Sequence, residues 1–211
     1  MDCPIQPNQT VLFQGDSITD AQRSVADEAD LGHGYAAMAA ATFQAAAPDR
    51  NVRFLNRGVG GNRVADLKAR WSDDCIALKP DWVSILIGVN DTWRAFDQKD
   101  PTSTEQYAGD YRHILTRTRD ELGARLILCE PFVLPAFEAD YAAWRADLDP
   151  RIHAVRELAR EFDALLVPFD GLLAAAACKQ PPAFWAGDGV HPTRPGHALM
   201  ARAWLAAVSV R

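Results

Sequence analysis

Trp82-Val83-Ser84-Ile85-Leu86-Ile87 runs directly into Gly88-Val89-Asn90-Asp91. The first six residues form a short, mostly aliphatic and β-branched run, bounded by Asp81 on one side and Gly88 on the other. Such a run reads as a strand buried on both faces rather than as one that alternates between core and water. Four more segments have the same character: Val11–Phe13, Val52–Leu55, Leu126–Cys129 and Leu165–Val167, each flanked by Gly, Pro, Asn or Asp.

Between these runs lie longer segments with helical periodicity: Tyr35–Ala47, Val64–Ala77, Thr104–Leu122 and Pro150–Phe162, with Pro195–Val208 closing the chain. Strands and helices that alternate over this length imply a parallel sheet covered on both faces. The expected fold is α/β, a three-layer αβα flavodoxin-like domain with a five-stranded parallel sheet. No repeat, low-complexity tract or Ser/Gly linker interrupts the chain, so residues 1–211 are expected to form one domain. The stretch Pro131–Asp149 is rich in Pro, Phe, Tyr, Trp and Asp. It is longer than an ordinary connection and reads either as a lid or wall over a ligand crevice or as a surface loop packing its own aromatics.

At 211 residues and 48% hydrophobic composition, the chain is long enough to bury roughly 70% of its unfolded surface. A formal net charge of -6, with no Lys/Arg cluster, leaves no basic footprint for nucleic acid. Met1–Gln14 lacks the basic and long apolar regions of a secretory signal, and no run approaches the roughly 20 apolar residues of a membrane span, so a cytoplasmic location is expected. Cys3, Cys75, Cys129 and Cys178 are scattered and read as small core residues. The five histidines include no pair at the spacing of a helical metal site, so neither a metal nor another cofactor is expected. A small-molecule substrate is the expected partner, with a homo-oligomer open.

Groups that carry chemistry sit where the strands should end. Gly15-Asp16-Ser17 follows the first run, and a serine there is placed to be a nucleophile, although the same triplet makes a good turn and helix cap. Asp16 is not read as the catalytic acid. Neighbours on an extended segment point to opposite sides, so its expected role is to fix the turn. Asn56-Arg57-Gly58-Val59-Gly60-Gly61-Asn62 follows the second run, and its glycines let an N–H face a reacting oxygen, with Gly61 the candidate donor. Its spacing is not that of a dinucleotide loop. Asn90, after the third run, carries a side-chain NH₂ suited to an oxyanion, or else caps the following turn together with Asp91. In Asp188-Gly189-Val190-His191-Pro192, an acid three residues before a histidine is able to orient it as a general base.

Gly15-Asp16-Ser17, Gly61 in its Asn-x-Gly-x-x-Gly loop, Gly88-x-Asn90-Asp91 and Asp188-x-x-His191 resemble the four blocks of the SGNH/GDSL hydrolases, over nearly the whole chain. Ile18 and Thr19 stand where leucine and serine are common in that family, a departure that touches no catalytic group. The resemblance implies Ser17 as nucleophile, Asp188 and His191 as the rest of a triad, and Ser17, Gly61 and Asn90 as oxyanion donors. Asn62–Trp71 and Lys79–Trp82, together with Gly88–Arg94, are similar to bacterial GDSL acetylxylan esterases, which remove acetyl groups from xylose-based sugars. Trp93, Arg94 and Trp185 are then candidates to line a sugar site, against the commoner role of tryptophan in packing. The expected function is ester hydrolysis through an acetyl-enzyme. A lysophospholipase, thioesterase or arylesterase would use the same triad. A non-catalytic carbohydrate- or nucleotide-binding module is the alternative from another class.

Overall fold

The computed structural model describes residues 3–136 and 140–208. In chain order the elements are β1 (Thr10–Gly15), α1 (Ser17–Asp20), α2 (Tyr35–Ala46), β2 (Arg53–Asn56), α3 (Val64–Asp74), β3 (Trp82–Leu86), α4 (Val89–Asp97), α5 (Thr104–Leu122), β4 (Arg125–Cys129), α6 (Tyr141–Glu161), β5 (Leu165–Val167), α7 (Phe169–Ala177), α8 (Pro182–Trp185) and α9 (Arg194–Ala207). Short 3₁₀ turns occupy Pro48–Arg50 and Ile76–Leu78.

All strand pairs are parallel, in the order β2-β1-β3-β4-β5, which is the flavodoxin-like arrangement expected from the sequence. The chain leaves β1 toward β2 on one side and returns to β3 on the other. A crevice opens at such a reversal, beyond the carboxyl ends of the strands. The register sets Gly15 opposite Leu86 and Phe13 opposite Asn56, so three strand ends stand side by side.

Successive strand residues point to opposite faces, and both faces are apolar. Val11, Phe13, Trp82 and Leu86 face a layer made of α2, α7 and α9, in one cluster with Phe43, Phe169 and Trp204. Leu12, Val83, Ile85 and Leu128 face α3, α5 and the second half of α6. The ring of Trp204 sits 5.2 Å from that of Phe13. Its indole N–H donates to Ser84 Oγ at 3.0 Å, which accounts for the one serine in an otherwise apolar strand.

Local signals fix both ends of α5. Ser103 Oγ accepts the N–H of Gln106 at the start of α5, and Gly123 ends that helix in the left-handed region at φ 64°. The start of α6 differs from expectation. Proline has no N–H and crowds the preceding turn, so Pro150 reads as a helix start, yet the helix begins at Tyr141 and runs through it. The buried face continues across the proline, through Trp144, Leu148, Ile152 and Val155, and Arg151 Nη1 donates to the main-chain carbonyl of Asp147. Packing of this face thus offsets the break. Within the expected loop Pro131–Asp149, therefore, 141–149 is helix, while 137–139 lie outside the described residues. The expected helix Val64–Ala77 stops at Asp74, because Cys75 leaves helical geometry and Lys79 turns left-handed just before Pro80.

Cys75 and Cys129 are buried, and burial pushes both thiols up to about 12. Cys178 is exposed, contrary to the core role expected of it, because it caps the solvent side of α7. No helix among the described residues is long and apolar enough to cross a membrane.

Candidate active site

Ser17 opens α1 directly beyond β1, with Asp16 as the capping residue. Asp16 Oδ1 accepts the N–H of Ile18 at 2.9 Å, the turn-fixing role expected from the sequence. Its carboxyl is 1% exposed, and burial, opposed by the Ile18 N–H and the nearby His191, pushes its pKa up to about 7. The N–H of Ser17 has no acceptor among the described residues and is free at the head of the turn.

Ser17 Oγ lies 2.9 Å from His191 Nε2, and His191 Nδ1 lies 2.6 Å from Asp188 Oδ2. With Nδ1–H donating to the carboxylate, Nε2 is left as an acceptor for the serine O–H. The other carboxylate oxygen, Asp188 Oδ1, accepts the main-chain N–H groups of Val190 at 2.9 Å and His191 at 2.7 Å. Burial opposes ionisation of Asp188, but these bonds and the imidazole outweigh it and hold the carboxyl well below the usual range. The hydrogen bond to Asp188 raises the pKa of His191, against the pull of partial burial. An antiparallel bridge between Ala186 and Pro192, and the N–H of Thr193 on the Trp185 carbonyl at 2.9 Å, close the loop that presents both residues ahead of α9.

The glycine loop after β2 is held by Asn56, which is fully buried. Its Nδ2 donates to the carbonyls of Thr19 at 2.6 Å and Leu31 at 2.9 Å, while its Oδ1 accepts the N–H of Gly58 at 2.8 Å. One side chain thereby joins the segment after Ser17 to the loop. Gly58 permits the approach, since a Cβ there would lie 2.3 Å from the Asp20 nitrogen. In the same loop, the N–H of Val59 is bound by Gly15 O and that of Asn62 by Val59 O, whereas that of Gly61 has no acceptor among the described residues. Gly61 has φ +80°, a conformation that side chains other than glycine's rarely adopt.

Asn90 stands in the first turn of α4, 3% exposed, and donates one Nδ2 hydrogen to the carbonyl of Asn62 at 3.1 Å. The second hydrogen of that amide stays available. Asp91 does not cap its own helix as the sequence suggested. Its Oδ2 accepts the N–H of Val64 and so caps α3, and burial pushes its pKa up to about 7. The structure thus joins Ser17, His191 and Asp188 in one hydrogen-bonded series and links Asn90 to the loop of Gly61.

Of the candidate sugar contacts, Trp93 on α4 lies against the His191 ring, with centroids 5.8 Å apart, and meets Trp144 edge-on at 5.3 Å. Arg94 sits 5.9 Å over the Trp93 ring and pairs with Asp97. Trp185 on α8 packs edge-on against Phe184 at 5.0 Å, and its carbonyl anchors the loop of His191. Asn56, Trp144 and the caps between segments were not singled out from the sequence. An asparagine directly after the expected strand Val52–Leu55 is the one sequence signal that points to any of them.

A family model described as GDSL-like Lipase/Acylhydrolase matches residues 13–199, and the chain belongs to that family. Membership makes it a hydrolase of carboxylic esters. It is 37% identical over 209 residues to an acetylxylan esterase from Geobacillus stearothermophilus, covering 95% of this chain and 94% of that protein. The crystal structure of Axe2, an acetylxylan esterase from the same organism, superposes with a TM-score of 0.90 at 34% identity, covering 98% of this chain and 97% of that one. A GDSL-like protein from Parabacteroides merdae superposes with a TM-score of 0.94 at 35% identity over 100% of both chains.

Proposed function

We propose that this chain is a single catalytic domain that removes acetyl groups from carbohydrate, with acetylated xylo-oligosaccharides as the leading substrates. The observation that carries the reading is the Ser17–His191–Asp188 series, with contacts of 2.9 and 2.6 Å, set beside free donors at the carboxyl edge of the sheet. The likeness to acetylxylan esterases supports the substrate class.

In the first step His191 Nε2 takes the proton of Ser17 as Oγ attacks the acetyl carbonyl, and Asp188 stabilises the imidazolium through Nδ1–H. The N–H groups of Ser17 and Gly61 and the Nδ2 of Asn90 hold the oxyanion of the tetrahedral intermediate. Protonated His191 then gives its proton to the sugar oxygen, which leaves. Water repeats the sequence on the acetyl-enzyme and releases acetate.

Trp93 presents an indole beside His191 and Arg94 a guanidinium over that indole, a polar aromatic edge that suits a sugar ring better than a long acyl chain. Trp185 is proposed to flank the same opening. The test is acetate release from acetylated xylo-oligosaccharides, pectic sugars and nitrophenyl esters of rising chain length, with Ser17→Ala as control. The reading requires preference for acetylated xylo-oligosaccharides and a silent Ser17→Ala. Preference for long chains would move the assignment to a lipid or thioester substrate.

A further inference from the structure

The guanidinium of Arg70, on α3, reaches three separate parts of the chain around the site. Nη2 donates to the carbonyl of Gly15 at 3.3 Å, at the end of the strand that delivers Ser17. Nε donates to Asn62 Oδ1 at 2.8 Å, in the residue that follows Gly61. Nη1 donates to Asp74 Oδ2 at 2.9 Å, one turn along its own helix. Asp74 is itself tied to β1, since its main-chain carbonyl accepts Gln14 Nε2 at 2.7 Å.

Asn62 passes the connection on, because its main-chain carbonyl accepts Asn90 Nδ2 at 3.1 Å. One side chain is therefore joined to the turn of Ser17, to the loop of Gly61 and, through Asn62, to the amide of Asn90. These are the three sources proposed above for oxyanion donors. The side chain of Arg70 is only 18% exposed, so its bonds are largely shielded from competing water. The contacts diverge from Nε, Nη1 and Nη2 at once, which the rigid fork of arginine allows and the single ammonium of lysine does not.

We infer that Arg70 is a positioning residue that sets the spacing of the oxyanion donors from behind the site, without touching substrate. An oxyanion site works through donors aimed in advance at where charge develops, so a small shift in spacing is felt in the chemical step rather than in binding. The inference rests on the proposed roles of Ser17, Gly61 and Asn90.

The test compares Arg70→Met, Arg70→Lys, Asn62→Ala and the pair Arg70→Met with Asn62→Ala in the full chain, using nitrophenyl acetate. Asn62→Ala removes the acceptor for Arg70 but keeps the main-chain carbonyl that holds Asn90. Arg70→Met is expected to lower kcat by about 10- to 100-fold at unchanged KM, with Arg70→Lys between it and the parent. Asn62→Ala is expected to lower kcat less, and the pair to be no worse than Arg70→Met alone, since both remove the same bond. Fully additive losses, a change in KM alone, or an unaltered kcat would overturn the role. If thermal melts show that Arg70→Met does not fold, Arg70→Lys and Asn62→Ala decide, and an unaltered kcat in both overturns it. Activity in Ser17→Ala would instead sink the nucleophile assignment itself. A silent Ser17→Ala beside a fully active Arg70→Met removes Arg70 alone.

Discussion

The indole of Trp93 and the imidazole of His191 lie 5.8 Å apart between centroids, with their planes at 53°. The indole is braced from behind by Trp144, which in turn stacks on Phe96 at 5.4 Å. Trp93 thus stands at the boundary between the proposed reacting groups and the proposed sugar contacts.

Trp93→Ala should separate those two roles. An aromatic pair contributes about 0.5–1.5 kcal/mol beyond buried area, so loosening His191 alone should lower kcat/KM on nitrophenyl acetate roughly 2- to 10-fold. The loss on an acetylated xylo-oligosaccharide should be larger. Equal losses on the two substrates would confine Trp93 to holding the histidine.

The acidic limb of the pH profile should belong to His191. The base works when neutral, and the bond to Asp188 raises its pKa above the ordinary 6.5, so kcat/KM should fall as pH drops through a value above 6.5. In Asp188→Ala that support is gone and burial pulls the other way, so the limb should move to lower pH. The maximal rate should also drop by about 10³–10⁴-fold. A limb that stays in place would show that another group titrates.

Asn90→Ala deletes a donor and leaves the Asn62 carbonyl without its partner. Loss of one oxyanion donor typically costs about 10²–10³ in kcat. The expected result is a loss of that size with a far-UV spectrum and melting curve close to the parent's. Near-parental turnover would remove Asn90 from the mechanism.

Asp16 and Asp91 give stability a pH dependence of definite sign. Each has an ordinary pKa of 3.8 that burial pushes up to about 7, so the folded chain binds these protons more tightly than the unfolded chain. Their contribution is fully present below about pH 4 and is lost as pH rises through about 7, at up to about 1.4 kcal/mol per pH unit for each group. Asp188 acts in the opposite sense, but only below its ordinary 3.8. Asp91→Asn keeps an acceptor for the Val64 N–H and removes the charge. Urea unfolding at pH 5, 6 and 7 should therefore show a flatter dependence for that variant, and parallel curves would refute the account.

The strands were legible because each is a short apolar run with polar or glycine bounds, and β5 matches its expected limits of Leu165–Val167. The helices α4 and α7 are not legible in the sequence, since the first carries the polar Asn90-Asp91 pair in its opening turn and the second ends in a run of four alanines with little periodic contrast. In α6 a tertiary face overrode the local veto of Pro150. At the site, the residues proposed to carry chemistry are marked by type and by position at the end of a strand or ahead of the last helix. Those that hold them are not, because the partners of Asn56 and Arg70 lie as far as 37 and 55 residues away in sequence. Such pairs exist only once the sheet has assembled.

The bridge from Ala186 to Pro192 closes the loop that carries one part of the site, while the other part follows the sheet. Ser17 and Asn90 follow adjacent strands locked in register at Gly15 and Leu86, so the strand amides that position them should exchange hydrogen only when the whole sheet opens. His191 and Asp188, about half exposed, hang on a loop that this bridge and a few further main-chain bonds pin to the rest. That loop is the natural place for partial opening. An open loop would disconnect the proposed base while the proposed nucleophile and oxyanion donors stayed in place, so catalytic melting should precede global melting on heating.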